Sequence, residues 1–293
     1  MNLAIKICTS AVLIAAASAF AENVKTLELT PTEGMTRANL SYIIPEGVKK
    51  PGGFLLLASG YNSDGTFLIK KTEWIEFAKK HDLILVGLSF ASNTDDLTNG
   101  KGYYYASKGS GQVFLDGLDK IQGGELPIYM YGFSGGAHFT ARFAEWKPER
   151  IGSLCAYAAG WWDFPRRLKK DFPAIIACGE KDIRLKACFD YFTWGRKLGR
   201  KWTWIKLADT GHSHSAKLDK FVREYFECVL DKSPKRPVCA DLSTGKAMQR
   251  CLRGRRKSSH RIFRTPPSQN PPRQNTISHL EAGRFCRIFF FIK

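Results

Sequence analysis

The sequence predicts an α/β fold in which a mainly parallel sheet of about eight strands is covered by helices on both faces. Short apolar runs alternate with longer segments whose apolar residues recur every three or four positions, as expected for buried strands joined by amphipathic helices. The 293 residues are enough for one large domain. Near the middle of the chain, residues 128–146 read as a strand, a glycine-rich turn and a helix.

The first part of the chain predicts an antiparallel hairpin at a sheet edge. Leu27 and Leu29 alternate with polar residues, as do residues 38–44, and a turn-rich segment over 31–34 separates the two runs. The elements that follow are strands over Gly53–Ala58 and Leu83–Phe90, a helix over Thr72–Lys80 that could begin near Thr66, a polar loop over Ala91–Lys108 and a helix over Ser110–Ile121.

The second part continues the alternation. The predicted strands are Ile128–Tyr131, Ile151–Ala159, Ala174–Cys178 and Trp202–Leu207, and the predicted helices follow Ser134 and cover Leu185–Leu198 and Ala216–Leu230. Parallel strands bring their carboxyl ends to one edge of a sheet, and ligand sites of open α/β sheets lie at that edge. We therefore expect functional residues in the loops that leave these strands.

Both ends of the chain differ from the predicted domain, which covers residues 22–231. A basic start, an apolar run and the small-x-small sequence Ala19-Phe20-Ala21 predict a signal peptide over residues 1–21, and hence a secreted or periplasmic protein. No later apolar segment has the length of a membrane span. Residues 232–293 form a basic tail that lacks apolar periodicity, which predicts disorder.

The basic character of the chain is concentrated in that tail. Residues 232–293 hold 15 Lys and Arg against 2 Asp and Glu, which accounts for +13 of the total charge of +18. The charge of the predicted domain is therefore nearly balanced, and the sequence does not predict a nucleic-acid partner; such a prediction would have to rest on the tail alone.

Seven cysteines follow the predicted signal peptide, so at least one of them is unpaired or forms an intermolecular bond. Cys155 and Cys178 lie in predicted strands and favour buried thiols, whereas Cys188, Cys228 and Cys239 are better disulfide candidates. No C-x-x-C pair with metal-binding spacing occurs, so the sequence does not predict a zinc site.

The central turn, Gly132-Phe133-Ser134-Gly135-Gly136, has the G-x-S-x-G pattern of a nucleophile elbow. In such a turn the glycines leave room for a sharp bend, and the serine is held in a strained conformation with its hydroxyl exposed above the sheet. A bare pentapeptide also forms ordinary turns, but the strand before it and the helix after it favour a nucleophilic serine at residue 134.

A serine nucleophile needs a base and an acid, and loops after later strands supply candidates for both. The acid candidate is Asp182, which could instead cap the following helix; Asp163 and Asp209 are rivals. The base candidate is His212, with His214 in the same loop as its rival. The two histidines could also bind a metal, but the sequence shows no third ligand.

The remaining candidates surround this predicted triad. Backbone N–H groups of Gly135 and Tyr61 are the expected oxyanion-hole donors. Trp161 and Trp162, after the strand that follows the elbow helix, are candidate substrate-binding residues, although core packing explains them about as well. His138, one helical turn after the serine, is more typical of a structural histidine.

The order Ser134, Asp182, His212 on this alternation of strands and helices resembles the α/β-hydrolase superfamily over about residues 27–230. The elbow, the Gly160-Trp161-Trp162 segment and the Cys-Gly-Glu-Lys-Asp loop that ends at Asp182 resemble exported esterases of the polyhydroxybutyrate-depolymerase-like and dienelactone-hydrolase-like groups. The chain departs from many such proteins in having Ser59-Gly60-Tyr61 where they carry His-Gly.

The resemblance implies a serine esterase that acts on a small-molecule or polymeric ester through an acyl-enzyme, without a cofactor. A peptidase or a carbohydrate-ester hydrolase on the same scaffold is the first alternative, because such enzymes share the triad. A non-catalytic binding protein that uses its basic tail is the second. The sequence indicates neither the substrate nor the oligomeric state.

Overall fold

The computed structural model describes residues 23–231, 239–241, 246–248 and 289–292. The predicted signal peptide, residues 1–21, lies outside the described residues. Most of the tail over 232–293 lies outside them too, except for three short strands that the sequence did not predict.

The described chain alternates strands with helices for most of its length. The strands are β1 (Lys25–Glu28), β2 (Arg37–Ile43), β3 (Gly53–Ala58), β4 (Leu83–Ala91), β5 (Ile128–Phe133), β6 (Ile151–Tyr157), β7 (Ala174–Gly179), β8 (Trp202–Leu207), β9 (Cys239–Asp241), β10 (Lys246–Met248) and β11 (Phe289–Ile292). The α-helices are α1 (Thr66–Ile69), α2 (Thr72–Lys80), α3 (Thr94–Thr98), α4 (Ser110–Ile121), α5 (Gly135–Trp146), α6 (Leu185–Lys197) and α7 (Ala216–Leu230). Short 3-10 helices cover Ala106–Lys108 and Pro148–Arg150.

The main sheet has the strand order β1-β2-β4-β3-β5-β6-β7-β8-β11. The predicted edge hairpin is confirmed, since β1 pairs antiparallel with β2 and β2 antiparallel with β4. Every pairing from β4 to β8 is parallel, and β11 adds to β8 in parallel. The eight strands of residues 23–231 match the predicted sheet. A separate antiparallel pair joins β9 to β10.

The centre of the sheet is buried on both faces. Every residue of β3, β4, β5 and β7 is buried, which explains why these strands read as continuous apolar runs rather than alternating ones. Helix α5 packs on β3, β5 and β6, and it begins at the carboxyl end of β5, which is the central strand of the sheet.

The segment over residues 91–108 differs from the predicted polar loop. It contains α3 and a 3-10 helix, and Tyr103 and Tyr104 are buried within it. The phenol rings meet edge to face, 4.7 Å apart between centroids. Their burial offers more stabilisation than exposure in a loop would, and single-sequence periodicity does not reveal it. The helix that could begin near Thr66 is instead two helices, α1 and α2.

The cysteines with described side chains are free thiols: Cys155, Cys178, Cys188 and Cys228. Cys155 and Cys178 are buried, as their strands predicted. Cys188, a predicted disulfide candidate, is also fully buried, and its Sγ donates a hydrogen bond to the Ala159 carbonyl at 3.0 Å. The side chain of Cys239 lies outside the described residues.

Candidate active site

Ser134 lies at the turn between β5 and α5, in the conformation that the glycine pattern predicted. Its φ of +52° and ψ of −114° are unfavourable for a residue with a side chain. The turn is possible because its neighbours lack side chains. A Cβ on Gly132 would lie 2.6 Å from the Gly136 carbonyl oxygen, and one on Gly136 would lie 2.5 Å from the backbone carbon of Ala58.

The structure brings Ser134, His212 and Asp182 into one hydrogen-bonded row. His212 Nε2 lies 2.9 Å from Ser134 Oγ, and His212 Nδ1 lies 2.6 Å from Asp182 Oδ2. The three residues come from the ends of β5, β8 and β7, which are strands of one sheet. Their meeting follows from the parallel topology, because these strands all end at the same edge.

Asp182 is held as a buried carboxylate. Its residue surface is 4% exposed, and Oδ1 accepts hydrogen bonds from the Arg184 backbone N–H at 3.0 Å and from its guanidinium at 3.2 Å. Burial acts to raise the pKa of Asp182, but the hydrogen bonds from Arg184 and His212 outweigh it, and the net pKa lies below the ordinary value.

The charge on Asp182 sets the proton positions on His212. A carboxylate only accepts, so His212 Nδ1 carries the proton between them. With that proton on Nδ1, an uncharged imidazole has Nε2 as an acceptor facing the Ser134 hydroxyl. This is the tautomer in which an imidazole can take the proton of a serine.

Asp163 and Asp209, the alternative candidates for the acid, form ion pairs with other residues. Asp163 forms an ion pair with Arg142, whose Nε lies 2.9 Å from its Oδ2. Asp209 is largely exposed and pairs with Lys181. The helix-capping role is only partly present in Asp182: its side chain accepts from the backbone of Arg184, and its carbonyl accepts from Leu185 N–H at 3.0 Å.

His214, the rival base, contacts a different serine. Its Nε2 lies 3.0 Å from Ser59 Oγ, and its ring packs against Phe133 with centroids 4.2 Å apart. Burial lowers the pKa of His214, so the ring is neutral near pH 7. The sequence did not mark Ser59, although its position directly after β3 placed it at the functional edge.

The two expected oxyanion donors lie side by side. A Cβ built on Gly135 would be 2.7 Å from the backbone nitrogen of Tyr61, so the loop after β3 touches the start of α5. Neither N–H has a hydrogen-bond acceptor within the described part of the chain. A hydrogen bond of 2.7 Å from Gly136 N–H to the Ser59 carbonyl fixes the two segments together. Two unpaired donors beside a nucleophile are what an oxyanion hole needs.

The aromatic candidates are separated in the structure. The Tyr61 phenol is held by the Ser92 carbonyl at 3.1 Å and Thr94 Oγ1 at 3.0 Å, with 46% of the residue exposed. Trp161 is 52% exposed. Trp162 stacks on Tyr191 with ring centroids 4.2 Å apart, which favours a packing role for it.

Both tryptophans line a cleft of about 230 Å³ together with Tyr105 and Arg142. Neither Ser134 nor His212 belongs to its lining. The structure therefore does not place Trp161 and Trp162 in one pocket with the serine.

His138 is a buried structural histidine, as its position predicted. Its Nδ1 lies 3.0 Å from the Trp161 carbonyl, and its ring stacks on Tyr104 at 4.5 Å. Burial, reinforced by the positive charge of Arg142, lowers the pKa of His138 to about 3.

Acid should therefore destabilise the fold through His138. The unfolded state takes up a proton below its pKa of about 6.5 and the folded state only near 3, so stability is lost as the pH falls below 6.5. Between pH 7 and pH 5 this residue should account for about 2 kcal/mol of the decrease in unfolding free energy. Guanidinium unfolding of the wild type and of His138→Asn at both pH values measures it. Equal pH dependence in the two proteins would contradict the assignment.

No group of three or more His, Cys, Asp or Glu side chains in the described residues is arranged to hold a metal ion. The same residues contain no helix with the length and apolar character required to cross a bilayer.

Comparison with known proteins gives the fold but no close relative. No protein-family model matches the sequence, and no curated protein matches it either. The S-formylglutathione hydrolase FrmB from Staphylococcus aureus has a similar structure, with 17% identity, a TM-score of 0.52, and coverage of 71% of this chain and 99% of that one.

Two other solved structures are similar to the same extent. Poly(aspartic acid) hydrolase-1 from Sphingomonas sp. KT-1 is 19% identical, with a TM-score of 0.51 over 69% of this chain and 97% of that one. LpqC, a poly(3-hydroxybutyrate) depolymerase from Bordetella parapertussis, is 14% identical, with a TM-score of 0.51 over 71% of this chain and 88% of that one. The chain therefore has the α/β-hydrolase fold that its sequence predicted.

Proposed function

We propose that this protein is an exported serine hydrolase that cleaves carboxylic esters. The observation that carries the proposal is the hydrogen-bonded row of Ser134, His212 and Asp182 beside the free N–H groups of Gly135 and Tyr61. A nucleophile, a base, an orienting acid and two oxyanion donors are the groups that acyl transfer requires. Export rests on the signal-like segment over residues 1–21.

The proposed reaction uses each group in turn. His212 Nε2 takes the proton of Ser134 as Oγ attacks the ester carbonyl carbon, and the N–H groups of Gly135 and Tyr61 donate to the oxyanion. Asp182 stabilises the imidazolium that forms. The imidazolium then protonates the leaving alcohol, which leaves an acyl group on Ser134. A water molecule, deprotonated by His212, attacks the acyl carbon, and collapse releases the acid and regenerates the serine.

The similar structures support hydrolase chemistry without selecting one substrate. Their names specify S-formylglutathione, poly(aspartic acid) and poly(3-hydroxybutyrate) as substrates. The poly(aspartic acid) hydrolase keeps a peptidase-like activity as the second candidate. Parallel assays with p-nitrophenyl esters of increasing acyl length and with p-nitroanilide amides distinguish an esterase from a peptidase. With the same acyl group, the two substrates differ in whether an ester or an amide bond is cleaved.

A fluorophosphonate probe gives the direct test, because it phosphonylates a serine that is activated by a neighbouring base. We expect stoichiometric labelling of the folded wild type and a mass-mapped adduct on Ser134. Prior heat denaturation should abolish the labelling. A folded protein that stays unlabelled at probe concentrations sufficient for a control esterase would overturn the proposal, and so would an adduct confined to another residue.

A further inference from the structure

The loop after β3 carries one of the two proposed oxyanion donors, and side chains from distant parts of the chain hold it. Asn62 N–H donates to the Tyr103 hydroxyl at 3.3 Å, and the Asn62 carbonyl accepts from Arg37 Nη2 at 2.7 Å. Asn62 itself adopts a φ of +53°. The backbone that presents Tyr61 N–H is thus fixed on its carboxyl side by residues of β2 and of the segment that follows β4.

On its amino side, this loop is fixed by the hydrogen bond between Ser59 and His214. Ser59 is 5% exposed, so the 3.0 Å bond from its Oγ to His214 Nε2 is shielded from water. The His214 ring is held in place by Phe133 at 4.2 Å and by an edge contact with Phe67 at 5.7 Å. Its Nδ1 is buried without a hydrogen-bond partner among the described residues, so Ser59 is its one polar contact there.

His214 and the proposed base share one loop. His212 faces Ser134 and His214 faces Ser59, with only Ser213 between them. The Ser59–His214 bond therefore connects the loop that carries the base to the loop that carries the Tyr61 donor. The Ser59 carbonyl meanwhile accepts from Gly136 N–H at 2.7 Å, which connects the same loop to the serine turn.

We infer that His214 is a positioning residue: through Ser59 it sets the distance between the Tyr61 N–H and the Ser134–His212 pair. This inference rests on the function proposed above. It gives the second histidine of the Gly-His-Ser-His segment a role of its own, and it accounts for the serine at residue 59. A shift of about 1 Å in catalytic geometry costs on the order of 100-fold in rate.

Phenylalanine at residue 214 keeps the ring contacts and removes the hydrogen bond. We expect His214→Phe to lower kcat for a p-nitrophenyl ester by about tenfold to a hundredfold with KM nearly unchanged, because the oxyanion forms only in the transition state. Ser59→Ala should lower kcat to the same extent. The double variant should be no slower than either single variant, since all three lack one and the same bond.

The conservative variant separates positioning from stability. His214→Gln places an amide where Nε2 lies and should recover most of the lost kcat. Ser213→Ala, in the same loop but without a side-chain hydrogen bond in the described structure, is the matched control and should keep wild-type kcat. Thermal unfolding of each variant is recorded in parallel, and Ser59→Ala alone decides the matter if His214→Phe does not fold.

Three results would overturn the inference: an unchanged kcat in folded His214→Phe or Ser59→Ala, losses that multiply in the double variant, or a His214→Gln variant as slow as His214→Phe. Each of them presupposes an active wild type with its probe adduct on Ser134. If the wild type itself neither hydrolyses esters nor reacts with the probe, the proposed function fails, and this inference fails with it.

Discussion

Ser134→Ala is expected to lower kcat by about 10⁶-fold, the loss typical of a deleted triad nucleophile. Alanine leaves no Oγ to attack the ester, while the N–H groups of Gly135 and Tyr61 remain in place. A weak residual rate above that of uncatalysed ester hydrolysis in water should therefore persist. Initial rates with a p-nitrophenyl ester over several decades of enzyme concentration measure both quantities.

The alanine variant should be about as stable as the wild type. Residue 134 keeps its positive φ, and alanine tolerates this strain no better than serine, so the unfolding temperature should change little. Substrate should still bind with a similar KM. Retention of more than about a hundredth of the wild-type kcat would show that another residue is the nucleophile.

Asp182→Asn should lower kcat by about 10⁴-fold with the fold intact. In the wild type, the Asp182 carboxylate accepts a hydrogen bond from His212 Nδ1, which leaves Nε2 free to accept the serine proton. An amide can donate to Nδ1 instead, and the proton then resides on Nε2, where it blocks that transfer. The lost negative charge also leaves the imidazolium of the transition state unsupported. Steady-state kinetics near neutral pH measure the effect.

The rival carboxylates supply the controls for this prediction. Asp163→Asn removes the ion pair with Arg142, and Asp209→Asn removes the ion pair with Lys181. Neither ion pair includes Ser134 or His212. Both variants should keep kcat within a few-fold of the wild type. A 10⁴-fold loss in either of them, with Asp182→Asn close to wild type, would move the acid to that residue.

The low pKa of Asp182 makes the stability of the fold depend on pH. Hydrogen bonds from Arg184 and His212 favour the charged form, so the folded-state pKa lies below that of the unfolded chain. The stability that the carboxylate contributes is therefore complete above the unfolded-state value of about 3.8 and is lost as the pH falls through the lower folded-state value.

The fold and the residue types of the site could be predicted because their signals are local. A buried parallel strand reads as a continuous apolar run, and the glycines around Ser134 indicate a turn with no room for side chains. Asp182 could be proposed for the same reason, since it lies in the loop after a buried apolar run that predicts a strand of the sheet.

The choice among partners could not be made locally. The sequence favoured His212 over His214 only by its place in the loop after β8, because which side chain each ring contacts depends on loops that meet across the sheet. The hydrogen bonds of Ser59 and Tyr103 could not be predicted for the same reason, as their partners are far away along the chain. Trp161 and Trp162 were grouped by adjacency, yet one is exposed and the other is stacked on Tyr191.

The strand order has a consequence for biosynthesis. Ser134 and His212 lie 78 positions apart, and β6, β7, α6 and β8 must all join the sheet before the two side chains meet. A nascent chain that has emerged only to β7 contains Ser134 but not yet His212. On the proposed function, the hydroxyl therefore has no base beside it until β8 has joined the sheet. The appearance of probe reactivity during refolding should accordingly report the docking of β8 and of the loop that follows it.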